Sequence, residues 1–233
     1  MFVKKLFLLF VVIFCTTDCF AQDTLRSKKN WLTDSVIERY NVLRSDPSVK
    51  DGPYKAFFKR KTMIASGNFK NGKHTGIWQF FDPRGRLVEK YDYDKNNFTY
   101  IAPIYARSYL SYLLDDTLKK GDRVTRPLKI GGVYYGFIPY VSLFQVPFDT
   151  FDVNTAAFEA NIELLISPLG QLANYTVRLS SQYYEYDQTF NIDVHLFDEA
   201  DRTFLPATLN GRPVMSRIII KCVVNPDGKL DFD

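Results

Sequence analysis

Few side chains in this 233-residue chain could carry acid–base, metal or thiol chemistry: His74, His195, Cys222, and the acidic runs Asp115-Asp116 and Asp198-Glu199-Ala200-Asp201. His74 follows the turn sequence Asn71-Gly72-Lys73 and reads as a solvated turn residue. His195 lies beside Val194 and reads as the polar flank of a helix. A structural or catalytic metal needs several ligands at characteristic spacing, and neither histidine has companions near it in the sequence. Cys222 alternates with Ile218 and Ile220, the pattern of a small hydrophobe buried in a strand. Adjacent carboxylates diverge, so neither acidic run forms the spaced pair that acid–base catalysis uses. The first is expected to end a helix and the second to lie in a loop. Gly-x-Ser-x-Gly, His-Glu-x-x-His, Cys-x-x-Cys and P-loop patterns are missing from the sequence. The expectation is a protein that is not an enzyme, with no catalytic residue, no cofactor and no metal.

The elements that would position any site begin after an export signal. Met1-Phe2-Val3-Lys4-Lys5 precedes an apolar run over residues 6–15, and Cys19-Phe20-Ala21 precedes Gln22. This charged, apolar, small-residue order is that of a secretory signal, and the run is shorter than the roughly 20 residues of a membrane span. Cleavage is expected after Ala21. Phe14 before Cys15 and Asp18 before Cys19 do not suit a lipid-attachment site. The mature chain is then exported, periplasmic or outer-membrane-associated in a Gram-negative bacterium, with no integral span after signal removal. Cys222 is its sole cysteine, so the fold rests on packing. Apolar residues at 46% and aromatics at 16% suffice for that. The net charge of +4 includes Lys4 and Lys5 and gathers in no basic run, so nucleic acid is not an expected partner.

Residues 22–51 read as a leader, with 23–29 flexible and 31–44 either helix or strand. Between residues 52 and 93 the chain repeats itself at a period of 24, pairing Gly52 with Gly76, Tyr54 with Trp78, Phe57 with Phe81, Met63 with Leu87 and Phe69 with Tyr93. A fixed period marks a repeated supersecondary unit, and Asn71-Gly72 is a strong hairpin turn. A β-hairpin repeat unit is therefore expected over 52–97. Ile104, Tyr105, Tyr109, Tyr112, Leu113 and Leu114 suggest an amphipathic helix in a connector over 98–130. In 131–233, Phe158, Ala160, Ile162, Leu164 and Ile166 alternate as in a half-buried strand, and 173–179 forms its return. Tyr186, Phe190, Val194 and Phe197 make one stripe of a helix, and a last strand runs over 214–224.

Two resemblances follow. The residues Gly67-Asn68-Phe69-Lys70-Asn71-Gly72-Lys73, Gly76-Ile77-Trp78-Gln79-Phe80-Phe81 and Gly85 resemble the MORN-like repeats of the YwqK antitoxin family. The later segment resembles the C-terminal domain of TonB-type energy transducers as found in Bacteroidetes. That likeness spans about residues 131–224, on Gly131-Gly132, Phe137-Ile138, Pro147, Pro168-Leu169-Gly170, Phe204-Leu205-Pro206-Ala207 and Asn210-Gly211-Arg212-Pro213-Val214. It implies an α+β fold: the hairpin repeat unit, then a three-stranded antiparallel sheet covered by two helices. Pro139 falls inside the expected opening helix, where it would kink the preceding turn. The cleavable signal replaces the retained anchor of a true transducer, so the fold carries over and the motor-coupled role does not.

These readings predict a non-catalytic protein–protein binding module of the cell envelope, pairing an extended segment of another envelope protein or peptide at a sheet edge. The candidate edge is the last strand, through Val214, Ser216, Arg217, Ile218, Ile219 and Ile220. A candidate aromatic patch is Phe58, Trp78 and Phe80. The alternative is an immunity or antitoxin-like protein that binds a toxin through its MORN-like repeats.

Overall fold

Two antiparallel sheets organise the residues described by the computed structural model, 24–103, 109–150 and 152–232. The expected signal, residues 1–21, and Ile104 and Tyr105 of the expected connector helix lie outside them. The first sheet is a seven-stranded meander in which each strand pairs with the next: β1 (Leu25–Trp31), β2 (Val36–Leu43), β3 (Lys50–Phe58), β4 (Thr62–Lys70), β5 (Lys73–Phe81), β6 (Leu87–Asp92) and β7 (Asn97–Ile101). Asn71 and Gly72 both take positive φ, 48° and 79°, the turn geometry that suits the twist of the β4–β5 hairpin. The 24-residue period coincides with two successive hairpins, β3–β4 and β5–β6. Its equivalent residues Tyr54 and Trp78 are both buried, at 1% and 0% exposure.

The meander starts well before the repeat. Residues expected to be a leader form β1, all of β2 and the first two residues of β3; β1 gives no strand signal in the sequence because it is an outer strand with almost every residue exposed and so carries no apolar alternation.

The second sheet runs β12 (Tyr186–Ile192), β11 (Leu172–Ser181), β10 (Glu159–Ile166), β15 (Ser216–Val224), β16 (Leu230–Phe232), with β8 (Leu110–Leu114) also paired to β15. A small third sheet joins β9 (Val124–Thr125), β13 (Thr208–Leu209) and β14 (Arg212–Pro213). The described helices are short: α1 (Ile138–Leu143), α2 (Glu199–Arg202) and three 3₁₀ turns.

This overturns the expected α+β fold with a three-stranded sheet and two covering helices. Two segments read as helical are strands. Tyr109–Leu114 enters β8, and the stripe of Tyr186, Phe190 and Val194 begins as β12. Residues four apart share a face in a strand as well as in a helix, so that stripe fits both periods. Pro139 lies in the first turn of α1, where no intrahelical donor is needed, and it breaks nothing.

The second sheet buries one face. Ile162, Leu164, Tyr175, Val177, Ile218 and Ile220 pack with Tyr140 and Val141 of α1, while the opposite face carries Glu163, Arg178 and Arg217. The meander's inner face, with Tyr54, Trp78 and Phe80, is covered by Tyr134 and Ile138. Tyr109, Val133 and Phe232 pack against both cores and join them.

Candidate functional site

The join between the sheets is built on Gly131 and Gly132. Both have positive φ, +119° and +68°, and a Cβ on Gly131 would fall 2.4 Å from the Cα of Gly136. One on Gly132 would fall 2.9 Å from Val88 of β6. Only glycine lets the chain turn this sharply while lying against the meander. The two N–H groups exposed by the turn donate to one carboxylate oxygen of Glu89, at 2.9 and 3.2 Å. Glu89 is buried, and burial pushes its pKa up to about 7 although both N–H groups and the charges of Arg126 and Lys129 pull the other way. Tyr54 and Tyr135 hydroxyls meet at 2.7 Å, and Ser35 donates to Asp231 of β16 at 2.6 Å, so the meander side is tied twice to the 131–135 segment and once to the second sheet.

Beside this join a cleft of about 780 Å³ opens between the meander and the turn at residues 198–203. One wall is aromatic: the ring of His74 stacks on Tyr93 at 4.6 Å and meets Trp78 and Phe69, each at 4.5 Å. Loss of water around the imidazole, with the nearby Lys50 charge, lowers the His74 pKa to about 4. His74 is thus exposed on one side, as its turn position suggested, but its ring belongs to an aromatic stack that the sequence did not reveal.

The opposite wall is ionic. Lys129, 6% exposed, donates to the carbonyl of Ala200 at 2.5 Å and lies 3.4 Å from Asp201. Burial lowers the Lys129 pKa and raises that of Asp201, and their mutual attraction opposes both shifts. The Tyr140 hydroxyl donates to the backbone carbonyl of Asp201, which fixes α2 against α1. The run Asp198-Glu199-Ala200-Asp201, expected to be loop, is the cap and body of this short helix and forms the acidic rim of the cleft.

The residues expected to form an open edge do not. β15 pairs with β10 along one side, and with β8 and β16 along the other. Ser216, Ile218 and Ile220 are fully buried, and Arg217 and Ile219 face outward from an inner strand. Val214 lies in the short link between β14 and β15, its N–H donating to the carbonyl of Ala207 at 3.0 Å. The alternation of this strand was legible, but which neighbours it would find was not. Asp115, expected to end a helix, instead follows strand β8 and grips Arg217 through two bonds of 2.9 and 3.2 Å, while Glu163 of β10 takes Arg217 from the other side.

The candidate aromatic patch is also interior. Trp78 and Phe80 are 0% and 1% exposed, and half-buried Phe58 packs edge-on against Tyr134. Cys222 is buried in β15, its thiol 3.7 Å from the carbonyl of Ile220. His195 lies in a 3₁₀ turn capped by Asp193. Among the described residues no group of three or more His, Cys, Asp or Glu is placed to hold a metal ion, and no helix is long and apolar enough to cross a membrane.

Fold and cleft together define a largely antiparallel β protein of two large sheets and one small one, with a recess of mixed aromatic and acidic character between the meander and the two short helices. Comparison with protein-family models, with curated proteins and with solved structures gives no match.

Proposed function

We propose that this chain is a non-catalytic binding module of the cell envelope that takes an extended segment of a partner protein onto the outer edge of β12. One observation carries the reading. Among the described residues β12 pairs only with β11, through seven residues in unbroken register, and leaves its other side open. An open strand is a template for a further strand, whose backbone supplies affinity and whose alternate side chains supply specificity.

The other outer strands are less suited: in the same sheet β8 and β16 are shorter, with five and three residues. β1 carries Arg26, Lys28 and Lys29, the cationic guard that discourages edge pairing, and β7 is shorter and slips register against β6. β12 has one charge, Asp187, and that is engaged by Arg178 at 2.6 and 2.9 Å. On its core side Tyr186, Phe190 and Ile192 are half-buried against Phe144, Phe148 and Phe158. An incoming strand with alternating apolar residues would finish covering them. The envelope location rests on the signal-like residues 1–21.

Photo-crosslinkers at Gln188 and at Lys28, placed in the exported protein in cells, test the edge. Adducts at Gln188 whose cross-linked peptides map to one extended segment support it. Adducts confined to Lys28, or spread over many unrelated peptides, overturn it.

A further inference from the structure

We propose that the cleft between the meander and the α1–α2 wall is a second, separate binding site, which takes a short basic peptide segment with an arginine or lysine beside an apolar residue. The site is a recess, and at about 780 Å³ it falls within the range of ligand pockets while exceeding what one side chain fills. Its floor and one wall are apolar and aromatic, with Ile130, Ile138 and the stacked His74–Tyr93 pair. That surface suits an apolar side chain and the flat or aliphatic stem of a basic one.

Charge selects the sign of the ligand. Three carboxylates, Asp198, Glu199 and Asp201, line the cleft against one ammonium group, Lys129. Lys129 is turned inward, held by the Ala200 carbonyl and by Asp201. Its charge therefore offsets Asp201, and Asp198 and Glu199 remain exposed at the rim. His74 adds no positive charge at neutral pH, because its imidazole is held neutral among the rings. A recess with low-dielectric walls and net negative rim concentrates cations. A guanidinium or ammonium group meeting Asp198 and Glu199, with its stem against Tyr93 and Ile138, satisfies both walls at once. An acidic or purely apolar segment would leave the rim carboxylates facing a like charge or no partner.

Two peptides that differ only in charge provide the test: N-acetyl-Phe-Arg-amide and its citrulline isostere, titrated into the full mature chain by calorimetry and by amide NMR. The arginine peptide should bind at least tenfold more tightly than the citrulline peptide and shift the amides of Tyr135 and Ala200. Asp198→Asn with Glu199→Gln should remove most of that difference, and Ser142→Trp, which fills the cleft without altering its charge, should weaken both peptides. Equal binding of the two peptides, no binding at millimolar concentration, or shifts confined to residues outside the cleft would overturn the proposal. Because β12 is untouched by these variants, cross-linking at Gln188 reports separately on the edge.

Discussion

The indole of Trp78 stands directly over Gly67 of the neighbouring strand, so close that a Cβ on Gly67 would lie 2.2 Å from two ring carbons. Its N–H donates to the carbonyl of Asn68 at 3.2 Å, which fixes the ring in that position.

The pair behaves as a unit. Trp78→Ala should cost about 3–5 kcal/mol, the range for emptying a fully buried aromatic site. Gly67→Ala should cost about 2 kcal/mol by overpacking against a ring that cannot retreat. Since the methyl group has no clash once the ring is gone, the double variant should be less destabilised than the sum by at least about 1 kcal/mol. Urea melts of the three variants measure this, and strict additivity would show that the ring moves aside freely.

Glu89 should give the protein an unusual pH dependence. Its folded pKa, about 7, lies above its ordinary value of 4.5, so the folded state holds a proton that the unfolded state releases. The stability from this site is complete below about pH 4.5 and is lost as pH rises through about 7, by on the order of 3 kcal/mol. His74 acts oppositely: its pKa is lowered to about 4, so its contribution is complete above about 6.5 and falls as pH drops toward 4. Glu89→Gln keeps an oxygen for both glycine N–H groups but removes the first effect. The variant should gain stability relative to the native chain at pH 7.5 and lose that advantage at pH 4.5, as read by denaturant midpoints.

Arg217 ties β8, β15 and β10 together on the solvent face through Asp115 and Glu163. Its hydrogen bonds to the two carboxylates raise its pKa and lower that of Asp115. The group is about a third exposed, so solvent screens much of the attraction. Arg217→Met should cost about 1 kcal/mol, partly because it leaves two carboxylates facing each other, and the cost should shrink in 1 M salt.

Backbone substitutions separate inner from outer strands. Proline removes a ladder donor, which an inner strand needs on both sides and an outer strand needs at alternate residues only. Arg217→Pro and Ile219→Pro in β15 should both prevent folding. Of the neighbours Gln188→Pro and Thr189→Pro in β12, one should fold normally by circular dichroism. Loss of both β12 variants would mean that its outer side is occupied.

The sequence displayed those features that depend on near neighbours. The Asn71-Gly72 turn, the two hairpins equated by Gly52 and Gly76, and the β10–β11 hairpin all follow from local spacing. It concealed what depends on distant partners. β1 is polar because both its faces meet water, and β8 has only five residues, too few for its period to separate strand from helix. Half of the site was visible in part: Gly131-Gly132 and the acidic run stood out, though not what they would face. Nothing local brings His74, Tyr93, Lys129 and Asp201 to one cleft, because that juxtaposition is made by the packing of the meander against the segment around Lys129 and α2.

β8 carries a further consequence, for the order in which the molecule can be made. Leu110 lies opposite Ile220 and Leu114 opposite Ser216, so each pair is joined across more than 100 residues. The strands of the meander are consecutive, and each can dock on its predecessor as it leaves the ribosome. β8 emerges next but waits, unpaired, through the production of β10, β11 and β12 until β15 arrives between it and β10. During that interval it offers Leu110, Tyr112 and two free backbone edges to any chain nearby. Late closure of this long loop makes assembly of the second sheet the slow step, and biogenesis rather than the finished fold the stage at which the protein is most open to aggregation.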